Sequence, residues 1–272
     1  MPAKRYQGNL CDLYDTYNRR EYVHPDPLEF LYDYQDVRDR EIVALVSSSL
    51  AYGGIKQILK SVATALSPIP GPAEFIRNSS RKDLELLYGG FKHRFTTGEE
   101  LASMLFGVRS VMEKHGTLEA CFVNFLKPED DTILPALSGF VSELSSVFKG
   151  KPRSLLPSPV NGSACKRLNL FLRWMVRKDQ VDPGGWDHVP QSKLVIPVDI
   201  HMHRISFMLG LTSRKVADMK TAIEITRAFR KISPEDPVRF DFCLTRLGIR
   251  DDLDPKQFLT ACEISGDAKP NF

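Results

Sequence analysis

A chain of 272 residues has room for one large domain or two lobes around a shared cleft, and 42% apolar with 26% charged residues fits a globular protein with a sizeable core. No run of eighteen apolar residues occurs, and the first 25 residues lack the apolar core and small-residue cleavage site of a secretory signal, so neither a membrane span nor export is expected. Five scattered cysteines (Cys11, Cys121, Cys165, Cys243, Cys262) with no CxxC pair argue against a disulfide framework, a structural zinc or a cysteine-bound iron–sulfur cluster, and for a reducing cytoplasm.

In chain order, nearly every periodic segment reads helical. "DREIVALVSSSLAYGG" opens on Asp39, which can cap a helix, and puts Ile42, Val43, Leu45, Val46 and Leu50 on a broad apolar face. "GIKQILKSVATALSPIPGP" predicts a second helix, stopped by Pro68 and Pro70. "TTGEELASMLFGVRSVMEKHG" has Thr97 as N-cap, Glu100 three residues on as its capping-box partner, and Gly116 as its end. "TLEACFVNFLK" and "DTILPALSGFVSELSSVFKG" predict two more, the second broken or started at Pro135. "SACKRLNLFLRWMVRK", the segment after Pro197, "VADMKTAIEITRAFRKI" and "PEDPVRFDFCLTRLGI" complete the set. Alternating strands and internal repeats are absent, so the class is all-α.

Net charge is only +3, but its distribution is uneven. From Leu144 to Lys178 there are 35 residues with no Asp or Glu and eight Lys or Arg: Lys149, Lys151, Arg153, Lys166, Arg167, Arg173, Arg177 and Lys178. Such a stretch is either a solvated run or a surface for a polyanion. A 21-residue non-helical connection, "DQVDPGGWDHVPQSKLVIPVD", follows, and a link that long inside a domain usually carries function.

It leads into "IPVDIHMHRISFMLGL", where Asp199, His201 and His203 alternate. Asp-x-His-x-His would suit an amidohydrolase-like zinc site at a strand end. Zinc needs three or four convergent ligands, and only His24, His93, His115 and His188 remain as further imidazoles. A β/α barrel would also need strands that the sequence lacks. Ile205, Met208 and Leu209 instead follow a helical period, which leaves Asp199 in a helix's first turn and no metal expected.

The same segment resembles the Pro-Val-Asp-Thr-His-Val-x-Arg signature of helix–hairpin–helix DNA glycosylases, the HhH-GPD superfamily, with Ile200 where Thr is usual. Upstream, "NGSACKRLNLFL" from Asn161 resembles that family's hairpin Pro-Gly-Val-Gly-x-Lys-Thr-Ala, with Ala164 for the second glycine. The 33-residue gap from Lys166 to Asp199 is similar to that of archaeal-type 8-oxoguanine glycosylases, or to a related bacterial branch. The resemblance spans about 50 residues, Asn161 to Leu211. It implies a two-lobed helical fold over 1–272, with 36–148 as the middle lobe, 1–35 and 149–272 as the second, and a cleft between them.

The activity implied is excision of an oxidised purine such as 8-oxoguanine, with associated AP lyase chemistry. Lys166 would be the Schiff-base nucleophile and Asp199 the carboxylate that orients or deprotonates it and stabilises positive charge on the sugar. Burial and the neighbouring Arg167 would help keep the amine neutral. Gly162, Ser163, Ala164, Arg167, Lys151, Arg153, His201 and Arg204 would contact DNA, a glycine letting backbone approach a phosphate closely. A base must leave the duplex to be excised, so a plug is needed, and Tyr52 before Gly53-Gly54 suits a wedge. Trp174 and Trp186 are stacking candidates, although aromatic residues more often fill cores. The implied partner is double-stranded DNA with a damaged base, bound by a monomer without a membrane, in the cytoplasm or at a bacterial nucleoid. No cofactor is implied beyond a monovalent cation at the hairpin when DNA is bound. A glycosylase using water, with Lys166 only touching phosphate, and a non-enzymatic DNA-binding module remain alternatives, with the zinc enzyme more remote.

Overall fold

The computed structural model describes residues 6–149, 155–249, 258 and 260. Lys151, Arg153 and Cys262 lie outside them. The class is all-α: among the described residues the only strands are two pairs of residues, β1 (Lys92–His93) and β2 (Thr96–Thr97), in one antiparallel hairpin. No helix among them is long and apolar enough to cross a membrane.

Helix α1 (Gln7–Tyr17) precedes a 3-10 segment, Pro27–Asp33, and the central helix α2 (Val37–Ser49). The cap of α2 is Asp36, whose carboxylate accepts the Arg38 N–H at 2.9 Å. Asp39, expected to cap, instead accepts the Ala73 N–H at 2.8 Å and so ties α2 to α4. Every residue from Glu41 to Ser49 is buried, so α2 has no solvent face beyond its first turn. It packs against Pro27–Asp33 on one side and against α9 (Lys166–Val176) on another.

After α2 come α3 (Ile55–Leu66), α4 (Pro72–Asn78), α5 (Arg81–Leu87) and the hairpin. Helix α6 (Gly98–His115) starts with the expected capping box, in which Thr97 and Glu100 accept each other's backbone N–H, and ends at Gly116. Helix α7 (Leu118–Asn124) is capped by Thr117, and α8 (Leu134–Ser145) starts with Pro135 in its first turn. In the second half, α9 is followed by the long connection, then α10 (Ile200–Met208), α11 (Met219–Arg230) and α12 (Asp241–Ile249).

The long connection folds inward rather than over the surface. Gly184 and Trp186 donate their backbone N–H groups to the Trp174 and Met175 carbonyls, extending the end of α9. Trp186 is 1% exposed and packs with Phe122, Phe140 and Phe171, its ring centroid 5.1–6.2 Å from theirs. Its indole N–H donates at 3.0 Å to Glu41, which also accepts the Leu118 and Glu119 N–H groups at the start of α7. Burial pushes the Glu41 carboxyl up to about 7, against the pull of the Leu118, Trp186 and Glu119 donors. One carboxyl thus joins α2, α7 and the connection.

Behind α9 lies a second inward feature, a network of buried ions. Arg173 is bonded to Asp182 and Asp241, and Arg177 to Asp179, Asp182 and Asp236. Both guanidinium groups are less than 5% exposed. Each planar fork matches carboxylates on several sides, which a lysine ammonium would do less well.

Candidate functional site

The turn before α9 sets the site's entrance. Pro159–Asn161 forms one 3-10 turn, and Gly162 follows at φ +75°, the left-handed conformation that a glycine adopts without steric cost. The Gly162 carbonyl accepts the Met219 N–H at 3.2 Å, and the Ala164 carbonyl accepts the Asn169 side chain at 3.0 Å. The turn is thereby fixed on both α9 and α11, and Lys166 becomes the first residue of α9.

On the facing side Asp199 caps α10. Its Oδ1 accepts the Met202 N–H at 2.8 Å, which leaves Oδ2 turned to Lys166 Nζ at 3.6 Å. The two side chains are 32% and 22% exposed, neither sealed in the core nor loose on the surface. Both line a cleft of about 830 Å³, within the usual range for small-molecule sites. Its walls come from distant parts of the chain: Pro25–Pro27, the Ala51–Gly53 loop, the Gly162 turn, the start of α10 and the end of α12.

A chamber of about 70 Å³ adjoins the pair and is lined also by Asp26, Asp241 and Arg246. Arg246 donates to Asp26 at 2.5 Å and lies over the Phe242 ring at 4.5 Å. Burial pushes the Asp241 carboxyl up to about 6 in spite of Arg173, and its Oδ1 has no hydrogen-bond partner. Sequence reading overlooked Asp26, Asp241 and Arg246. The available signal was Asp241 itself, an acid between Phe240 and Phe242 in an apolar helix face.

The other expected site residues divide. Gly162, Ser163, Ala164, Arg167 and His201 line the cleft. Arg167, however, donates to the Ser49 carbonyl at 2.5 Å and lies 4.8 Å over the Tyr52 ring, so it braces a wall. His201 packs against α12, where a Cβ on Gly248 would meet its Nδ1 at 2.6 Å. Arg204 is exposed on α10 and outside the cleft lining. Tyr52 lines the cleft, but its hydroxyl donates to the His93 carbonyl at 2.8 Å and lies 2.8 Å from the Thr96 hydroxyl. A side chain held at ring and hydroxyl is a poor wedge. Trp174 and Trp186 are corrected outright: both are 1% exposed and belong to the core. Their distance from solvent follows from the inward fold of the connection.

The basic stretch needs the same correction. Arg173 and Arg177 are buried among aspartates, and Arg167 is engaged in the wall, so the run does not present one cationic surface. The alternating histidines also part. His203 Nε2 donates to the Arg214 carbonyl at 2.8 Å, while His201 sits on α12. Among the described residues no three His, Cys, Asp or Glu side chains come together where they could hold a metal ion.

Residues 26–250 match the model of a family described as Protein of unknown function (DUF2400). No HhH-GPD model matches, which corrects the superfamily resemblance drawn from Asn161 to Leu211. Part of that resemblance is helix-start grammar: an Asp N-cap after Pro197, an apolar helix, and a left-handed Gly210 at its end. No curated protein and no solved structure matches the chain.

Proposed function

The chain belongs to the family described as Protein of unknown function (DUF2400), and from its cleft we propose a DNA glycosylase with associated AP lyase activity. The observation that carries this reading is the Lys166 amine facing a carboxylate oxygen of Asp199 at 3.6 Å on the wall of an open cleft. An amine and a carboxylate at that separation suit displacement at a sugar carbon. Lys166 Nζ would attack C1′ as the glycosidic bond breaks and the base leaves. The ring C1′–O bond then opens as nitrogen forms the imine. The departed base, still anionic, takes a C2′ proton as the 3′ phosphate leaves, and water hydrolyses the imine to release the enzyme. Asp199, while ionised, would stabilise the cationic sugar as the base departs, then take the proton lost by the amine and pass it to the ring oxygen as the C1′–O bond opens. Its cap bond to Met202 keeps it in place through those steps.

Within this reading 36–148 is one lobe, the described parts of 1–35 and 149–272 the other, and the base enters between them. The cleft lining is consistent with that division, because it draws Ala51, Tyr52, Gly53, Ile55 and Ile58 from one part and Lys166 and Asp199 from the other. Duplex DNA carrying a damaged base is the proposed partner, and Gly162 and Ser163 the proposed phosphate contacts beside the pair. An oxidised purine is the first substrate to try. The test is a panel of duplexes with oxidised, alkylated and deaminated bases, incubated with protein and borohydride and scored for base release and for covalent trapping. Release with trapping is expected on at least one lesion. Release without trapping would give the water-using form, and neither on any lesion would refute the reading.

A further inference from the structure

The tip of the β1–β2 hairpin stands beside the cleft and has no role in the chemistry above. Its two turn residues are Arg94 and Phe95, between the paired His93 and Thr96. Phe95 is 72% exposed. A single exposed aromatic side chain is ordinary by itself. The way this one is held is not. Arg94 adopts φ +51°, a left-handed conformation that a residue with a Cβ avoids. The Tyr52 hydroxyl bonds both flanks of the turn and accepts the Thr96 N–H at 3.2 Å. The His93 ring sits edge-on to Tyr52 at 4.6 Å, with Nε2–H donating to the Tyr52 carbonyl and Nδ1 accepting from Ser61 in α3. A Cβ on Gly53 would come 2.8 Å from the Arg94 side chain, which therefore lies against the cleft wall. The fold locks the turn and leaves its aromatic ring outside.

Cations cluster on the elements around the tip, and the acids next to it in sequence, Glu99 and Glu100, lie in the first turn of α6 just past β2. From Ile42 to Ala73 no Asp or Glu occurs, and none occurs from Leu86 to Gly98. The first segment carries Lys56 and Lys60 on α3, the second Lys92 and Arg94, and all four are exposed. Helix α3 packs directly on β1, which puts these cations on neighbouring elements. Burial keeps His93 below its ordinary pKa, so the imidazole between them stays neutral.

We propose that the Arg94–Phe95 tip enters duplex DNA at the lesion, with Phe95 as the wedge that occupies the space of the extruded base and Lys56, Lys60, Lys92 and Arg94 on the flanking phosphates. This rests on the glycosylase reading and moves the wedge from Tyr52 to the residue that Tyr52 holds. An apolar side chain pushed between base steps unstacks them, and its locked backbone means little ordering on binding.

The experiment uses the full chain and a duplex with a tetrahydrofuran abasic analogue next to 2-aminopurine. Wild type should bind it and raise the 2-aminopurine fluorescence. Phe95→Ala should bind roughly 5- to 100-fold more weakly, the scale of one base–aromatic contact, and give no rise even at saturation. Phe95→Trp should restore both. The double variant Lys56→Ala/Lys92→Ala should flatten the log–log salt dependence of binding by about 0.9 per lysine. Unchanged affinity and fluorescence in Phe95→Ala, from a protein that still excises bases, would overturn the wedge alone. Failure of wild type to bind the abasic duplex would overturn the wedge and the glycosylase reading together.

Discussion

The two ends of helix α9 carry basic side chains that look alike in sequence and sit in opposite surroundings. Lys166, at its start, meets a single carboxylate at 3.6 Å in a cleft open to solvent. Arg173 and Arg177, at its other end, are sealed among Asp179, Asp182, Asp236 and Asp241. The first arrangement leaves an amine free to move and react. The second fixes α9, the connection and α12 to each other. Exposure, not charge, separates the open pair from the sealed network, because desolvation makes an unpaired buried ion far costlier than an exposed one.

Removing a cation from each end tells the two arrangements apart. Arg177→Met leaves three carboxylates without their shared partner and should cost about 3–5 kcal/mol of stability, read as the urea midpoint. Lys166→Gln removes a partly exposed charge and should move that midpoint by no more than about 0.5 kcal/mol. Equal losses would mean that the two ends are not different in kind.

Glu41 extends the contrast to a buried carboxyl that has N–H donors and no cation. Its pKa rises on folding from an ordinary 4.5 to about 7, so the folded state binds the proton more tightly than the unfolded chain. Stability from this group is therefore greatest below pH 4.5 and is lost as pH rises to 7, by roughly 3 kcal/mol in all. Asp241, raised from 3.8 to about 6, acts with the same sign over its own lower window. Urea titrations from pH 4 to pH 8 should show the decline, and Glu41→Gln should remove the Glu41 share of it, between pH 4.5 and pH 7. A stability that climbs over that range would contradict the burial argument.

A smaller effect is expected at Asp199. Asparagine caps a helix about as well as aspartate, so Asp199→Asn should fold normally. Loss of the charge beside Lys166 should slow base excision by roughly 10²-fold, the scale of one key electrostatic group. Damaged-duplex affinity should hold or rise slightly. A rate within a factor of a few of wild type would leave Asp199 as a cap only.

The elements with strong punctuation were legible in the sequence. Thr97, Glu100 and Gly116 bounded α6, and Pro135 marked the start of α8. Short α4 and α5 had too few turns to show a period, although Ser80 and Asp83 form a capping box at α5. The hairpin was invisible because two-residue strands cannot alternate. Lys166 and Asp199 stood out as residues, but the 3.6 Å between them depends on how the connection folds. That connection also misled. Its length suggested a functional segment, while Asp182 and Trp186 draw it inward to partners on α9 and α2. The acid-free run failed likewise, since its counter-charges come from Asp179, Asp182, Asp236 and Asp241, all beyond its end.

The proposed covalent bond joins the Lys166 amine to the sugar. It is tested most directly by borohydride trapping on a lesion duplex that wild type excises, with Lys166→Gln alongside. Wild type should give a covalent complex of protein and DNA, and peptide mapping should place the adduct on Lys166. Lys166→Gln should fold and bind the duplex, yet give no complex and no strand cleavage. A trapped complex that still forms with Lys166→Gln would contradict the account.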